Sequence, residues 1–136
     1  MDTIDTLSLQ DRYDIHALPV RYANAIDQRD WTRFRTVFTH DCYYELTNFG
    51  RLTRSFEGID ELTNYMASVT SHPTAHHVSN VEILAIGDPI KLLSQVFGPG
   101  KDGVFGSCDY RDDVVHTNDG WRIARRIVML RRPSNI

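Results

Sequence analysis

A change of period at Pro73 limits the fold of this chain more than any other feature. Upstream of it, apolar residues recur at helical spacing on either side of one short hairpin. Downstream, the sequence falls into strand-like stretches, residues 74–86, 90–97, 104–116 and 120–131, parted by Gly87-Asp88-Pro89, Gly98-Pro99-Gly100 and Asn118-Asp119-Gly120. Such triplets form turns because Gly reaches φ values closed to other residues and Pro cannot donate to a ladder. Connections this short join antiparallel neighbours, whereas parallel strands need a long crossover. Helices first and a meander last predict an α+β domain rather than an alternating α/β one.

In the N-terminal block, Ser8-Leu9-Gln10-Asp11 resembles a capping box with Asp in the Glu place, and Ile15, Leu18, Tyr22 and Ile26 follow at helical spacing. A first helix ending near Gln28 is expected, kinked or split at Pro19, which removes a hydrogen bond to the Ile15 carbonyl. Asp30 caps a short second helix carrying Trp31, Phe34 and Phe38. Stretches 42–46 and 52–56 around Asn48-Phe49-Gly50 read as a hairpin, and Gly58-Ile59-Asp60 opens a third helix with Leu62, Tyr65, Met66 and Val69 as its apolar stripe. A strongly curved sheet folded over these helices leaves a cavity between them, the default place for a ligand.

Composition narrows the classes of function. The 136 residues carry 15 Lys plus Arg against 18 Asp plus Glu, a net charge of −3, with 41% hydrophobic and 24% charged residues. This is ordinary for a globular chain, and residues 1–136 are expected to form a single domain. The slightly acidic balance and lack of a long basic cluster argue against a nucleic-acid partner. The longest apolar runs, 83–86 and 127–130, fall far short of the ~20 residues of a membrane helix, and Met1-Asp2-Thr3-Ile4-Asp5 lacks the basic and apolar parts of a secretory signal. No membrane partner and a cytoplasmic location are expected. Cys42 and Cys108 stand alone, without C-x-x-C spacing, and read as buried reduced thiols.

Three places could carry chemistry. Asp27 lies at the edge of the first helix's apolar arc, near its C-terminus, where the helix dipole disfavours negative charge and a donor partner is needed; the alternative is a boundary Asp capping the next turn. Residues 71–80 hold half of the histidines: His72, His76 and His77. In a strand entered at Thr74, alternation sends His76, Val78 and Asn80 to one face and His77, Ser79 and Val81 to the other, so one of the adjacent pair points inward. An imidazole bonded to a carboxylate is a proton-transfer unit. The i, i+4 spacing of His72 and His76 would suit a metal on a helix, but Pro73 defeats that geometry and no third ligand is evident. In the last strand, Trp121, Ile123, Arg125, Ile127 and Met129 share one face, and Arg122 and Arg126 take the other. An Arg within an apolar face needs an anion, either a structural carboxylate such as Asp109 or Asp112 or a substrate group. Tyr22 and Tyr44 suit either packing or the pocket wall.

The run from Tyr22 through Asp27 to Trp31, then Phe34 and Val37-Phe38, Thr74-Ala75-His76-His77-Val78-Ser79-Asn80, Tyr110-Arg111-Asp112 and Gly120-Trp121-Arg122-Ile123-Ala124 resembles the SnoaL-like family of the nuclear transport factor 2-like superfamily. The resemblance covers about residues 9–130. It implies a cone-shaped, curved, mostly antiparallel sheet wrapped around N-terminal helices, and a homodimer or higher homo-oligomer formed through the outer sheet face. In scytalone dehydratase, hexachlorocyclohexane dehydrochlorinase and bile acid 7α-dehydratase, an Asp ending the first helix and a His on the first long strand form the catalytic dyad, positions matching Asp27 and His76. The bile acid enzyme's Tyr matches Tyr22. The extra His of scytalone dehydratase has no counterpart in residues 92–97, and its pocket Tyr falls near Leu46.

Residues and resemblance together point to a cofactor-independent lyase, with no metal, acting on a small apolar cyclic or aromatic molecule. Asp27, His76 and Tyr22 would be catalytic, and Tyr44, Asn80 and Arg125 would bind substrate. The alternatives on the same scaffold are a double-bond isomerase, an epoxide hydrolase, an aldehyde-releasing lyase or a non-catalytic small-molecule-binding domain. A cavity of roughly a few hundred cubic ångströms beside the dyad would favour catalysis or binding, and a filled interior a purely structural role.

Overall fold

The computed structural model describes residues 7–49, 52–100 and 103–131. In chain order it comprises α1 (Leu9–Asp27), α2 (Trp31–Arg35), β1 (Phe38–Phe49), β2 (Leu52–Glu57), α3 (Ile59–Ser68), β3 (His77–Ala85), β4 (Ile90–Pro99), β5 (Phe105–Thr117) and β6 (Gly120–Leu130). The strands form one six-stranded sheet in the order β2-β1-β6-β5-β4-β3. Neighbours are antiparallel except β1 and β6, which run parallel. The α+β architecture matches the expectation.

The capping box forms as read: the Ser8 hydroxyl accepts from the Asp11 N–H at 3.0 Å, and the Asp11 carboxylate accepts from the Ser8 N–H at 3.1 Å. That carboxylate also accepts from Trp121 Nε1 at 3.1 Å, tying the start of α1 to β6. Helix α1 is not split at Pro19 but runs unbroken through it. The lost backbone bond is offset by burial on both sides, since Leu18, Pro19, Tyr22 and Ile26 all pack into the core. Phe38 belongs to β1 rather than to the second helix. The hairpin of β1 and β2 is present, and its Gly50 lies outside the described residues.

The helices cover one face of the sheet. Leu18, Tyr22 and Ile26 of α1, Phe34 of α2, and Leu62 and Met66 of α3 share a continuous core with Tyr44, Leu92, Val96, Tyr110, Ile123 and Val128 from the strands. Sheet curvature comes from interrupted ladders. Register shifts fall between Phe38 and Tyr43 in β1 and between Ser79 and Glu82 in β3. A third sets Asp113 opposite Arg125 but Val114 opposite Ile123, leaving Ala124 as an extra residue of β6. Such bulges bend the strand and turn the side chains beyond them.

Candidate active site

Asp27 is the last residue of α1, and the backbone fixes it there by closing a Schellman turn. Arg29 takes the left-handed conformation (φ 56°), its N–H reaches the Ile26 carbonyl at 3.0 Å, and the Asp30 N–H reaches the Ala25 carbonyl at 2.8 Å. With the helix ended, the Asp27 side chain does not cap this turn; it crosses to the segment before β3. One oxygen accepts from His76 Nδ1 at 2.6 Å and the other from the His76 backbone N–H at 2.9 Å. These two donors supply what a carboxylate at a helix C-terminus requires. Because an ionised carboxylate can only accept, Nδ1 is the ring nitrogen that carries a proton here, and in the neutral tautomer the lone pair is on Nε2.

His76 sits just before the strand, since β3 begins at His77 rather than at Thr74. Alternation nonetheless separates the neighbours: His76 lines the cavity between sheet and helices, while His77 is exposed and stacks on Phe97 with 5.4 Å between ring centroids. The backbone here is held by β4. The Thr74 N–H donates to the Pro99 carbonyl at 3.2 Å, and the Ala75 carbonyl lies so close to Gly98 that a Cβ there would come within 2.0 Å of its oxygen. Only glycine at position 98 permits this approach.

The cavity has a volume of about 300 Å³. Leu46, Met66, Val96, Val128 and Leu130 give it an apolar wall, and polar groups enter it at two places. At one, His76 is joined by His72, whose ring meets it edge-on with centroids 6.2 Å apart. His72 Nε2 donates to the Met66 carbonyl at 3.1 Å, and burial pulls its pKa below the ordinary value, so a neutral ring is favoured.

At the other, the hydroxyls of Tyr22 and Tyr44 are 2.6 Å apart, both on buried side chains. One hydroxyl donates to the other, which leaves the second proton available to a ligand. Burial raises the pKa of Tyr22, and it raises Tyr44 and Tyr110 still further. The effect at Tyr22 is smaller because the Arg126 guanidinium opposes it most directly. Arg126 is fully buried, 4.3 Å from the Tyr22 ring and 4.0 Å from the Tyr110 ring. Asp112 holds it through Nε and Nη2 at 2.7 and 2.8 Å. Burial works against the charge on Arg126, but the facing carboxylate outweighs it and keeps the guanidinium ionised. Burial also lifts the thiol of Cys108, another cavity residue, to about 11, so it is a neutral wall group.

Two residues expected to bind substrate lie elsewhere. The arginine embedded in the apolar face is Arg126, not Arg125. The extra residue at Ala124 shifts the alternation by one, and Arg125 is exposed on the outer face with its guanidinium 4.9 Å from the Tyr43 ring. Asn80 likewise leaves the cavity face, because it occupies the β3 irregularity in a left-handed conformation (φ 54°) and is exposed. Of the candidates, His76, Tyr22 and Tyr44 line one cavity, and Asp27 joins them by holding His76. His72 and Tyr110 also line the cavity, where sequence reasoning does not place them, and the Asp112–Arg126 pair stands behind the tyrosine rings. Alternation through Val114, Asp112 and Tyr110 would have found the last strand-borne group, whereas His72 sits on an aperiodic loop and carries no such signal.

Comparison with known proteins agrees with this architecture. Residues 7–127 match the SnoaL-like domain family. An uncharacterized protein of Mycobacterium tuberculosis (strain ATCC 25618 / H37Rv), Rv2910c, is 30% identical over 131 residues, covering 91% of this chain and 88% of its own length. A solved structure from Novosphingobium aromaticivorans, provisionally named an aromatic ring hydroxylase, superposes with a TM-score of 0.76 at 26% identity, covering 94% of each chain. Hexachlorocyclohexane dehydrochlorinase LinA-type3 from Novosphingobium barchaimii LL02 superposes with a TM-score of 0.73 at 14% identity, covering 94% of this chain and 93% of its own. The fold is nuclear transport factor 2-like.

Proposed function

The chain belongs to the SnoaL-like family, and we propose that it is a lyase that eliminates water or halide from a small, largely apolar ring compound by acid–base catalysis, with no cofactor. The observation that carries this reading is the Asp27–His76 pair, with its ring on the wall of an apolar cavity of about 300 Å³. That volume suits a compound of one or two rings. Elimination is chemistry that this scaffold hosts in the dehydrochlorinase; its assignment here rests on the residues of the cavity.

His76 Nε2 takes a proton from a ring carbon, and the electron pair of the broken C–H bond becomes the new double bond. The leaving group departs with the electrons of its own bond. A halide leaves as such; hydroxide takes a proton from the Tyr22–Tyr44 pair, and Tyr22, eased by Arg126, is the better donor of the two. Asp27 holds the imidazole in the tautomer that frees Nε2 and stabilises the imidazolium formed. After halide loss the imidazolium releases its proton to solvent; after water loss that proton passes to the tyrosinate, and either route restores the starting residues.

The test is a screen of hydroxylated and halogenated ring compounds against the purified protein, read by ultraviolet absorbance of the new conjugation and by halide release. Turnover of at least one class, absent from His76→Ala, is expected. Silence across all classes, or turnover unchanged in His76→Ala, overturns the assignment.

A further inference from the structure

On the side of α1 turned away from the cavity, a second concavity of about 700 Å³ lies between that helix, α2 and the β5–β6 turn. Its chemistry is the opposite of the first. Arg21 from α1, Arg33 from α2 and Arg122 from β6 all line it. No ion pair engages any of the three among the described residues. Arg21 Nη2 donates to Thr36 Oγ1 at 2.7 Å, Arg122 Nη1 donates to the Trp121 carbonyl at 2.9 Å, and the Arg33 side chain makes no hydrogen bond among the described residues. Partial burial first, and the charges of Arg122 and Arg33 next, pull the Arg21 pKa down, with Asp14 offsetting part of this. Asp14 and Asp119 also line the cleft, but neither forms an ion pair with these arginines.

Arginine is weakly hydrated and presents five donors in a planar fork, a geometry that matches two oxygens of a phosphate group. Three such forks drawn from separate elements, each with donors to spare, repel one another until an oxyanion joins them. The remaining wall is mixed: Tyr13, Ala17, Val20 and Trp121 bring apolar surface beside His16, Asp14 and Asp119. Tyr13 is 71% exposed and Val20 44% exposed, both on α1 beside the arginines, which gives a surface for a flat ring rather than for a bare ion.

We propose that this cleft is a binding site for a phosphomonoester carried on an aromatic or heteroaromatic ring, with Arg21, Arg33 and Arg122 on the phosphate and Tyr13 and Val20 against the ring. This proposal is independent of the lyase assignment, since it uses none of the cavity residues.

Phenyl phosphate is the probe, titrated into isotope-labelled protein and followed by amide NMR shifts, with inorganic phosphate, phenyl sulfate and phenol as the other arms. Saturable shifts confined to α1's outer face, α2 and the β5–β6 turn are expected. Phenyl phosphate should bind about tenfold more tightly than inorganic phosphate, and phenol should not bind there. Phenyl sulfate binding equally well would show that the site reads an oxyanion in general, overturning the phosphate preference. Arg33→Gln and Arg122→Gln should each weaken binding about tenfold or more. Arg33→Gln is the cleaner variant, since that side chain holds nothing else in place. Shifts that appear only at the cavity, that persist unchanged in Arg33→Gln and Arg122→Gln, or that are absent throughout overturn the proposal.

Discussion

Asp112 and Arg126 face each other across β5 and β6 as directly paired residues, and their side chains form a bidentate ion pair with no solvent exposure on either side. Removing one partner strands the other charge in the core. Asp112→Ala or Arg126→Ala should lower stability by about 3–5 kcal/mol, whereas the double substitution Asp112→Leu, Arg126→Met should recover much of the loss. Urea denaturation of the three variants measures this. Equal losses for the single and double variants would contradict it.

The Asp27–His76 pair predicts a non-additive pattern. Once a substrate is in hand, His76→Ala and Asp27→Asn should each lower turnover by about 10²–10⁴-fold, and the double variant should cost little more than the worse single one. His77→Ala, on the exposed side, should stay within about tenfold of the parent. Steady-state kinetics of the four variants checks this, and inactivation by His77→Ala alone would refute it.

The paired hydroxyls of Tyr22 and Tyr44 should show a coupling energy of about 1 kcal/mol in a double-mutant cycle of Tyr22→Phe and Tyr44→Phe. Additive losses would mean that the two hydroxyls do not stabilise one another.

His72 makes stability depend on pH. Its folded pKa is below the ordinary value of 6.5, so the unfolded chain binds more protons there and stability falls as pH drops from about 6.5 through the lower folded value. The parent should therefore lose more melting temperature between pH 7.5 and 5.5 than His72→Gln does. An equal loss in both would rule His72 out as the cause.

Gly98→Ala should force the Ala75 carbonyl away and carry His76 with it. About 1–3 kcal/mol of stability should be lost, and the His76 ring nitrogen shifts should change with it, read by calorimetry and by NMR. An unchanged His76 signal would show that the close approach does not position the dyad.

The helical half of the fold was legible because a 3.6-residue period survives substitution. Leu18, Tyr22, Ile26, Phe34, Leu62 and Met66 all reach the core where the spacing puts them. The strand half was legible in number and order of segments but not in phase. A single extra residue at Ala124 exchanges Arg125 for Arg126, and the left-handed Asn80 removes an expected pocket residue, because bulges leave no mark in local composition. The parallel contact of β1 with β6 joins distant parts of the chain and has no local signature either. Pro19 does not split the first helix, its intrinsic cost being outweighed by tertiary packing. Within the site, Asp27 and Tyr22 could be placed by the helix and His76 by alternation, while His72 depends on a loop whose path only the folded chain defines.

Asp27 grips residue 76 twice, through the ring and through the main chain, and the second contact does not depend on which side chain stands there. A replacement at position 76 would therefore inherit an anchored backbone and a view into a finished apolar chamber. For evolution or for an engineer, the position works as a socket. A different functional group can be fitted and tried there before any other part of the scaffold has to change.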